Sequence, residues 1–293
     1  MPAPWAPPPA PKPGVIPLRV LNVGEIFSGA FRTVRRHLGL LVVPSALLLL
    51  LSQGVSLLVV LTISADYQRM LVDMRPGRGV PAEFWGLFWQ QMAASSVSLG
   101  VSALVQTFLT GLVTVVVSRA VLGKPITAAE AWAELRPRAW HLVAVSILYL
   151  ISVVIATLFC LLPGVWVAVV FSLAVPALVL EKLPVRRSFT HSRALVRNAW
   201  WSTFGILTAA YATVMMITFL AGLPFTASVF IDGTFTQGVA ALSTPMIFLS
   251  SLVGVVVSAF TAPFYSAVVA LVYLDRRIQV ERLDLVLARA AAA

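Results

Sequence analysis

Charge is what this chain has least of. Asp, Glu, Lys and Arg make up 11% of its residues, against roughly 25% in a soluble domain. From Leu142 to Leu180 thirty-nine consecutive residues carry no charge at all. A helix of that length in water needs a polar face, whereas hydrocarbon requires continuous apolar cover, so a soluble globular class is excluded. Cysteine is nearly missing as well. The single Cys160 lies inside the same stretch, which excludes an intramolecular disulfide and a thiolate metal cluster and leaves it the role of a small apolar side chain. No Gly-rich loop leads to a Lys-Ser/Thr pair, so ATP-driven work by this chain alone is not expected. His37, His141 and His191 lack the paired helical spacing and the glutamate of a zinc protease, and serines such as Ser95, Ser96 and Ser98 have no neighbouring base. The expectation is therefore a non-enzymatic protein with no catalytic residue, no metal and no cofactor.

What is present is apolar. Hydrophobic residues make up 59% of the chain and the mean hydropathy is +0.94. Pro163-Gly164 interrupts the long neutral stretch, and two spans of about 20 residues fit around it with Pro-Gly as the turn. Arg136 and Arg138 precede the pair and Lys182, Arg186 and Arg187 follow it, so both ends belong on one side, the cytoplasm by the positive-inside rule. The remaining spans follow at 38–65, 93–122, 202–230 and 239–274, beside 142–162 and 164–180. The last run would measure roughly 54 Å as one helix, longer than the ~30 Å hydrocarbon core, so it either bends, with Pro245 and Pro263 available, or divides into two segments. Two full spans there would carry Arg276, Arg277, Arg282 and Arg289 outside, which leaves six spans and cytoplasmic N and C termini. Of the twenty-one Lys and Arg, only Arg69, Arg75 and Arg78 then lie outside, in a loop they share with Asp66, Asp73 and Glu83. Residues 1–14 hold seven prolines and no signal-peptide core, and read as a disordered cytoplasmic tail. A second short tail is expected at 288–293, with one membrane domain over 15–287 between them.

Each pair of spans is preceded by a basic amphipathic segment suited to lie in the membrane interface. In Val23 to Arg36, the residues Val23, Ile26, Phe27, Ala30, Phe31 and Val34 recur at helical spacing, opposite Glu25, Arg32, Arg35 and Arg36. In the second segment Thr127 and Glu130 have capping-box spacing, Ala128, Trp132, Leu135 and Ala139 share a face, and Pro137 shortens or kinks the helix. In the third, Pro184 suits a first turn, and Val185, Phe189, Ser192 and Val196 face apolar surroundings, opposite Arg186, Arg187, Arg193 and Arg197. The fold class is an all-α membrane protein of three hairpins, each entered through a basic interfacial helix. A threefold internal repeat is an even alternative to coincidence.

Depth in the spans is uncharged, and proton relays and ion sites usually need an ionisable group there. Gln53 and Gln106 are the strongest polar groups, and interhelical hydrogen bonding is expected of them before a substrate site. The specific-looking polar residues form a cytoplasmic collar: Glu25, Arg32, Arg35, Arg138, Glu181, Arg187, Arg197, Asp275 and Arg277. Glu181 ends the fourth span and Asp275 the sixth, so each is placed to pair with an elbow arginine, with a solvated, lipid-facing collar as the equal alternative. The net charge of +10 falls beside apolar spans, where anionic headgroups account for it and nucleic acid does not.

Several fragments resemble a known family. They are Gly24-Glu25-Ile26-Phe27-Ser28-Gly29-Ala30-Phe31-Arg32, Pro176 to Glu181, Arg187-Ser188 with Leu195-Val196-Arg197, and Tyr273-Leu274-Asp275-Arg276-Arg277. Together they resemble an uncharacterised actinobacterial membrane-protein family, similar to the membrane domain associated with glycerophosphoryl diester phosphodiesterases. The resemblance spans about Val15 to Leu287 and implies six helices with interfacial elbows in a bacterial plasma membrane. It supplies no catalytic residue, because the phosphodiesterase chemistry of fused members belongs to a separate soluble barrel. The expected function is a scaffold or anchor for membrane or cytoplasmic partner proteins at the cytoplasmic face, with a transporter or lipid-handling protein as the alternative.

Overall fold

The computed structural model of the chain describes residues 21–59, 70, 83–123, 125–231 and 244–281. Among these, 92% are helical and none lies in a strand, so the backbone's polar groups are answered within helices, as a hydrocarbon solvent demands. The helices are α1 (Val23–Arg36), α2 (Leu38–Val59), α3 (Phe84–Val121), α4 (Ala128–Leu135), α5 (Ala139–Phe159), α6 (Leu161–Phe171), α7 (Ala174–Leu180), α8 (Val185–Arg197), α9 (Trp200–Ile231) and α10 (Thr244–Glu281), with a 3-10 turn at Arg136–Arg138. Among the described residues six stretches are long and apolar enough to cross a membrane: Leu38–Val59, Phe84–Val121, Ala128–Phe159, Leu161–Leu180, Trp200–Phe225 and Phe248–Val280. The chain is thus a multi-pass membrane protein by its helices. The expected tails, 1–14 and 288–293, and most of the loop assigned outside lie beyond the described residues.

Two boundaries differ from the sequence reading. The helix that holds the expected second span begins at Phe84, ahead of Ala93, and α3 is 38 residues long. Gln90 and Gln91 interrupt the apolar run without interrupting the helix, because glutamine is a good helix former. Trp85, Phe88 and Trp89 therefore occupy the first turns of α3, where Phe84 stacks on Phe88 one turn on, at 5.9 Å between ring centres.

The turn of the central pair lies at Cys160, not at Pro163-Gly164. Cys160 alone is extended, at φ −173° and ψ 155°. Pro163 is the third residue of α6, where the missing N–H is one that no helix turn could have used. Gly164 serves close packing: a Cβ on it would overlap Thr157 Oγ1 and stand 3.1 Å from Thr157 Cα. Farther along the same pair, the Tyr149 hydroxyl donates to the Ala168 carbonyl at 3.4 Å and Arg138 Nη1 to the Leu178 carbonyl at 3.3 Å. Residues ever farther from Cys160 on one side thus meet residues ever farther on the other, so α5 and the segment following Cys160 run antiparallel. Pro176 explains the break between α6 and α7, since its ring obstructs the carbonyl four residues earlier, at Ser172.

Compactness divides the chain into two units. The first comprises Met1–Leu41, Thr107–Tyr211 and Pro263–Ala293. Its core holds Ile26, Val113, Leu135, Leu178, Val196 and Leu271, all buried. The amphipathic helices contribute to this core. α1 buries Ile26, Gly29, Ala30, Thr33 and Val34 and leaves Phe31 exposed. α8 buries Ser188, Phe189, Ser192, Leu195 and Val196. α4 buries Ala131 and Leu135, while Ala128 and Trp132, expected to share a face with Leu135, are exposed. Leu135 packs against Gly111, where an added Cβ would stand 3.0 Å from Leu135 Cδ1 and the leucine would have to give way. Pro137 falls in the 3-10 turn and ends α4 as expected.

The second unit comprises Val42–Gln106 and Ala212–Ala262. Its buried residues are few and small, among them Ser45, Ser52, Ala94, Val105 and Ala259, whereas Leu47, Leu51, Phe219 and Leu252 are more than half exposed. Large aliphatic and aromatic side chains facing outward suit lipid, which does not drive them inward. In each successive pair of crossing helices the first has 17% of its most apolar window buried, and the second has 56%, 50% and 61% in turn.

Candidate functional site

The densest polar arrangement lies in the first unit, at the end of α10. Tyr273 and Arg277 stand one helical turn apart and share a face. Both reach Glu181, which caps the C-terminus of α7: the Tyr273 hydroxyl donates to Oε1, and Arg277 Nε lies 3.1 Å from the same oxygen. His191 of α8 brings Nε2 to 3.0 Å of it. Lys182 follows Glu181 in the left-handed region at φ 56°, reversing the chain so that α8 can return beside α7. The Tyr273 hydroxyl, Arg277 and His191, from two helices, thus converge on one carboxylate oxygen, with side-chain exposures of 15% for Glu181 and 23% for Arg277.

The neighbouring face of the same helix turn ties two further segments. Asp275, 2% exposed, accepts the Leu21 amide at 2.8 Å through Oδ1 and Gln279 Nε2 at 2.7 Å through Oδ2. Arg276, 4% exposed, donates to Ser202 Oγ at 2.8 Å and to Gln279 Oε1 at 3.0 Å. Tyr273, Asp275, Arg276 and Arg277 therefore join α10 to the entry of α1, the end of α7, the middle of α8 and the start of α9. A single turn and a half of helix acts as a tie-point for the unit.

The nine residues expected to form a collar divide accordingly. Glu181, Asp275 and Arg277 come together in the tie-point, but Glu181 pairs with Arg277 of α10 and with His191, not with an elbow arginine, and Asp275 holds a backbone amide. Glu25 serves its own helix: with Asn22 it forms a capping box, its carboxylate accepting the Asn22 amide at 3.0 Å. Arg138 caps the Leu178 carbonyl. Arg32, Arg35, Arg187 and Arg197 are exposed. Sequence reasoning missed Tyr273, His191 and Arg276 as participants. The signal for pairing Tyr273 with Arg277 was their spacing of four, within a fragment read only for its family resemblance.

The expected box at Thr127 and Glu130 is present, with the Thr127 amide 3.0 Å from Glu130 Oε2. An ion pair joins Arg119 to Glu134 at 3.5 Å across an exposed surface. Pairs of that kind contribute about 0 to 1 kcal/mol. Among the described residues no three of His, Cys, Asp and Glu stand close enough to hold a metal ion.

In the second unit Gln53 and Gln106 line one cavity of about 350 Å³, with Leu49, Ser52, Ser102, Val105, Gly254, Val255 and Ser258. The Ser52 and Ser102 hydroxyls are hydrogen-bonded to each other at 3.1 Å beside it. No protein-family model, no curated protein and no solved structure matches the chain.

Proposed function

We propose that the chain is a non-enzymatic integral protein of a bacterial plasma membrane, a scaffold or anchor for partner proteins at the cytoplasmic face. On this reading the crossing helices form three hairpins, each preceded by a basic interfacial helix, with both termini in the cytoplasm. The alternation of poorly and well buried helices supports the pairing, and the resemblance to the phosphodiesterase-associated membrane domain supports the layout.

One observation carries the functional part. At the end of the spans where the amphipathic helices lie, Glu181 and Asp275 are turned inward and held, while Arg32, Arg35, Arg187 and Arg197 are exposed. That leaves a cationic surface suited to anionic headgroups and to acidic faces of membrane or cytoplasmic proteins, each nearby lysine or arginine contributing roughly 1 kcal/mol at an anionic surface. Reversal of those four arginines to glutamate, followed by gentle solubilisation from the native membrane, is expected to strip co-purifying proteins while the detergent melting temperature stays put. Unchanged association would sink the scaffold. Arg277 is left out of the test because its reversal would break the tie-point instead.

A lipid-handling or transport function is the second reading, favoured by the cavity that gathers Gln53 and Gln106.

A further inference from the structure

The cavity of the second unit has a regular construction. On α2 it takes Leu49, Ser52 and Gln53, on α3 Ser102, Val105 and Gln106, and on α10 Gly254, Val255 and Ser258. The first two sets share one spacing, i, i+3, i+4, and therefore present one face of each helix. Each set holds at least one hydroxyl group and one aliphatic side chain; α2 and α3 add an amide, and α10 adds Gly254. Gln53 stands fifteen residues after Leu38 and Gln106 fifteen before Val121. At 1.5 Å per residue both are about 22 Å from the ends that adjoin the amphipathic segments, past the middle of a ~30 Å core.

The chemistry of the lining restricts its occupant. It offers three hydroxyls and two amides, which both donate and accept, and no ionisable group. A phosphate or ammonium head would be desolvated there without a counter-charge, at a cost far above that of an uncharged polar group. A fully apolar occupant would make no use of the three hydroxyls and two amides of the lining. Aliphatic Leu49, Val105 and Val255 suit a hydrocarbon root, and the neighbouring helix surface continues as exposed Leu51, Leu252 and Val256, where acyl chains can lie.

From this we infer that the cavity is a binding site for an uncharged lipid whose head carries hydroxyl and ester-carbonyl oxygens, the chemistry of diacylglycerol. The head enters between Gln53, Gln106 and Ser258, and the tails remain against the aliphatic faces of α2 and α10. The inference rests on the lipid-handling reading and specifies its ligand. Gly254 provides the means to close the site, because a Cβ built on it meets no atom within 4 Å. A larger side chain there enters the cavity without striking the protein at its first carbon.

The test is photolabelling of the full chain in phosphatidylcholine nanodiscs, using a diazirine-bearing diacylglycerol and, separately, a diazirine-bearing phosphatidylglycerol. The expected result is diacylglycerol labelling of peptides containing Leu49, Val105 or Val255. It should fall roughly tenfold in Gly254→Phe, which fills the cavity, and roughly tenfold in Gln53→Leu with Gln106→Leu, the loss of one to two hydrogen bonds. The near-isosteric glutamine variants serve if the phenylalanine variant does not fold. Labelling undiminished by either change overturns the inference. If phosphatidylglycerol labels the same peptides and is blocked by the same variants, the uncharged-head assignment falls and lipid handling stands. If neither probe labels them, both fall.

Discussion

The phenol of Tyr273 donates to the carboxylate of Glu181 across 92 residues of sequence. Because Arg277 and His191 approach the same oxygen, removing the charge leaves an arginine without its carboxylate in a partly buried place. Breaking a fully buried pair costs about 3 to 5 kcal/mol; the residual exposure of both partners brings the expectation for Glu181→Gln to about 2 kcal/mol. Tyr273→Phe is expected to cost about 1.5 to 3 kcal/mol, the range for a hydrogen bond to a charged group. Unfolding of the single and double variants in mixed micelles gives the coupling. Strictly additive losses would mean that the two side chains do not act together.

Asp275 separates charge from geometry at the other side of the tie-point. Asp275→Asn keeps an oxygen for the Leu21 amide, whereas Asp275→Ala removes it. Hydrogen exchange at the Leu21 amide should accelerate strongly in the alanine variant and only modestly in the asparagine variant. Equal exchange in wild type and alanine variant would show that this bond does not hold the entry to α1.

Gly164 is required by the backbone approach to Thr157. A methyl at Gly164 has to displace Thr157, whose Cβ stands 3.0 Å from the added atom, so Gly164→Ala is expected to lower stability by about 1 to 3 kcal/mol, as overpacking does. Thr157→Ala in the same chain removes the hydroxyl but not the Cβ, and should restore part of the loss. A neutral Gly164→Ala would place the closest approach elsewhere.

His37, between α1 and α2, has its imidazole pKa held below the ordinary 6.5, first by burial and then by the positive charge of Arg36. The folded protein therefore keeps it neutral to lower pH than the unfolded chain does. Its contribution to stability is level above about pH 6.5 and declines as the pH falls below that, because the unfolded state binds the proton first. An NMR titration should give a midpoint below 6.5 that rises only part of the way in Arg36→Gln, since burial is the larger cause. A wild-type midpoint at 6.5 or above would contradict the assignment.

Much of the helical plan was legible because lipid requires long apolar runs, and Leu142 to Leu180 announces itself by the absence of charge. The Thr127 to Glu130 box was legible for a local reason: its two bonds lie within four residues. Asn22 and Glu25 form the same box, but Glu25 stood among arginines and drew attention as a surface charge. Pro163-Gly164 misled because proline marks both the end of one helix and the beginning of the next, and only the extended Cys160 distinguishes them. The buried face of α4 meets Gly111, and Glu181 meets His191 and Tyr273, all residues distant in sequence. Periodicity within one helix reports which faces are apolar, but not which distant residue they meet.

The tie-point also sets an order of events during synthesis. Glu181 leaves the ribosome 92 residues before Tyr273, an interval of about 5 to 20 s at common elongation rates. Through that interval the carboxylate at the end of the fourth crossing helix has no partner from α10, and neither Leu21 nor Ser202 has yet been tied. Of the segments the tie-point joins, α10 is the last to be made, and its arrival fixes the entry of α1, the end of α7 and the start of α9 to one another.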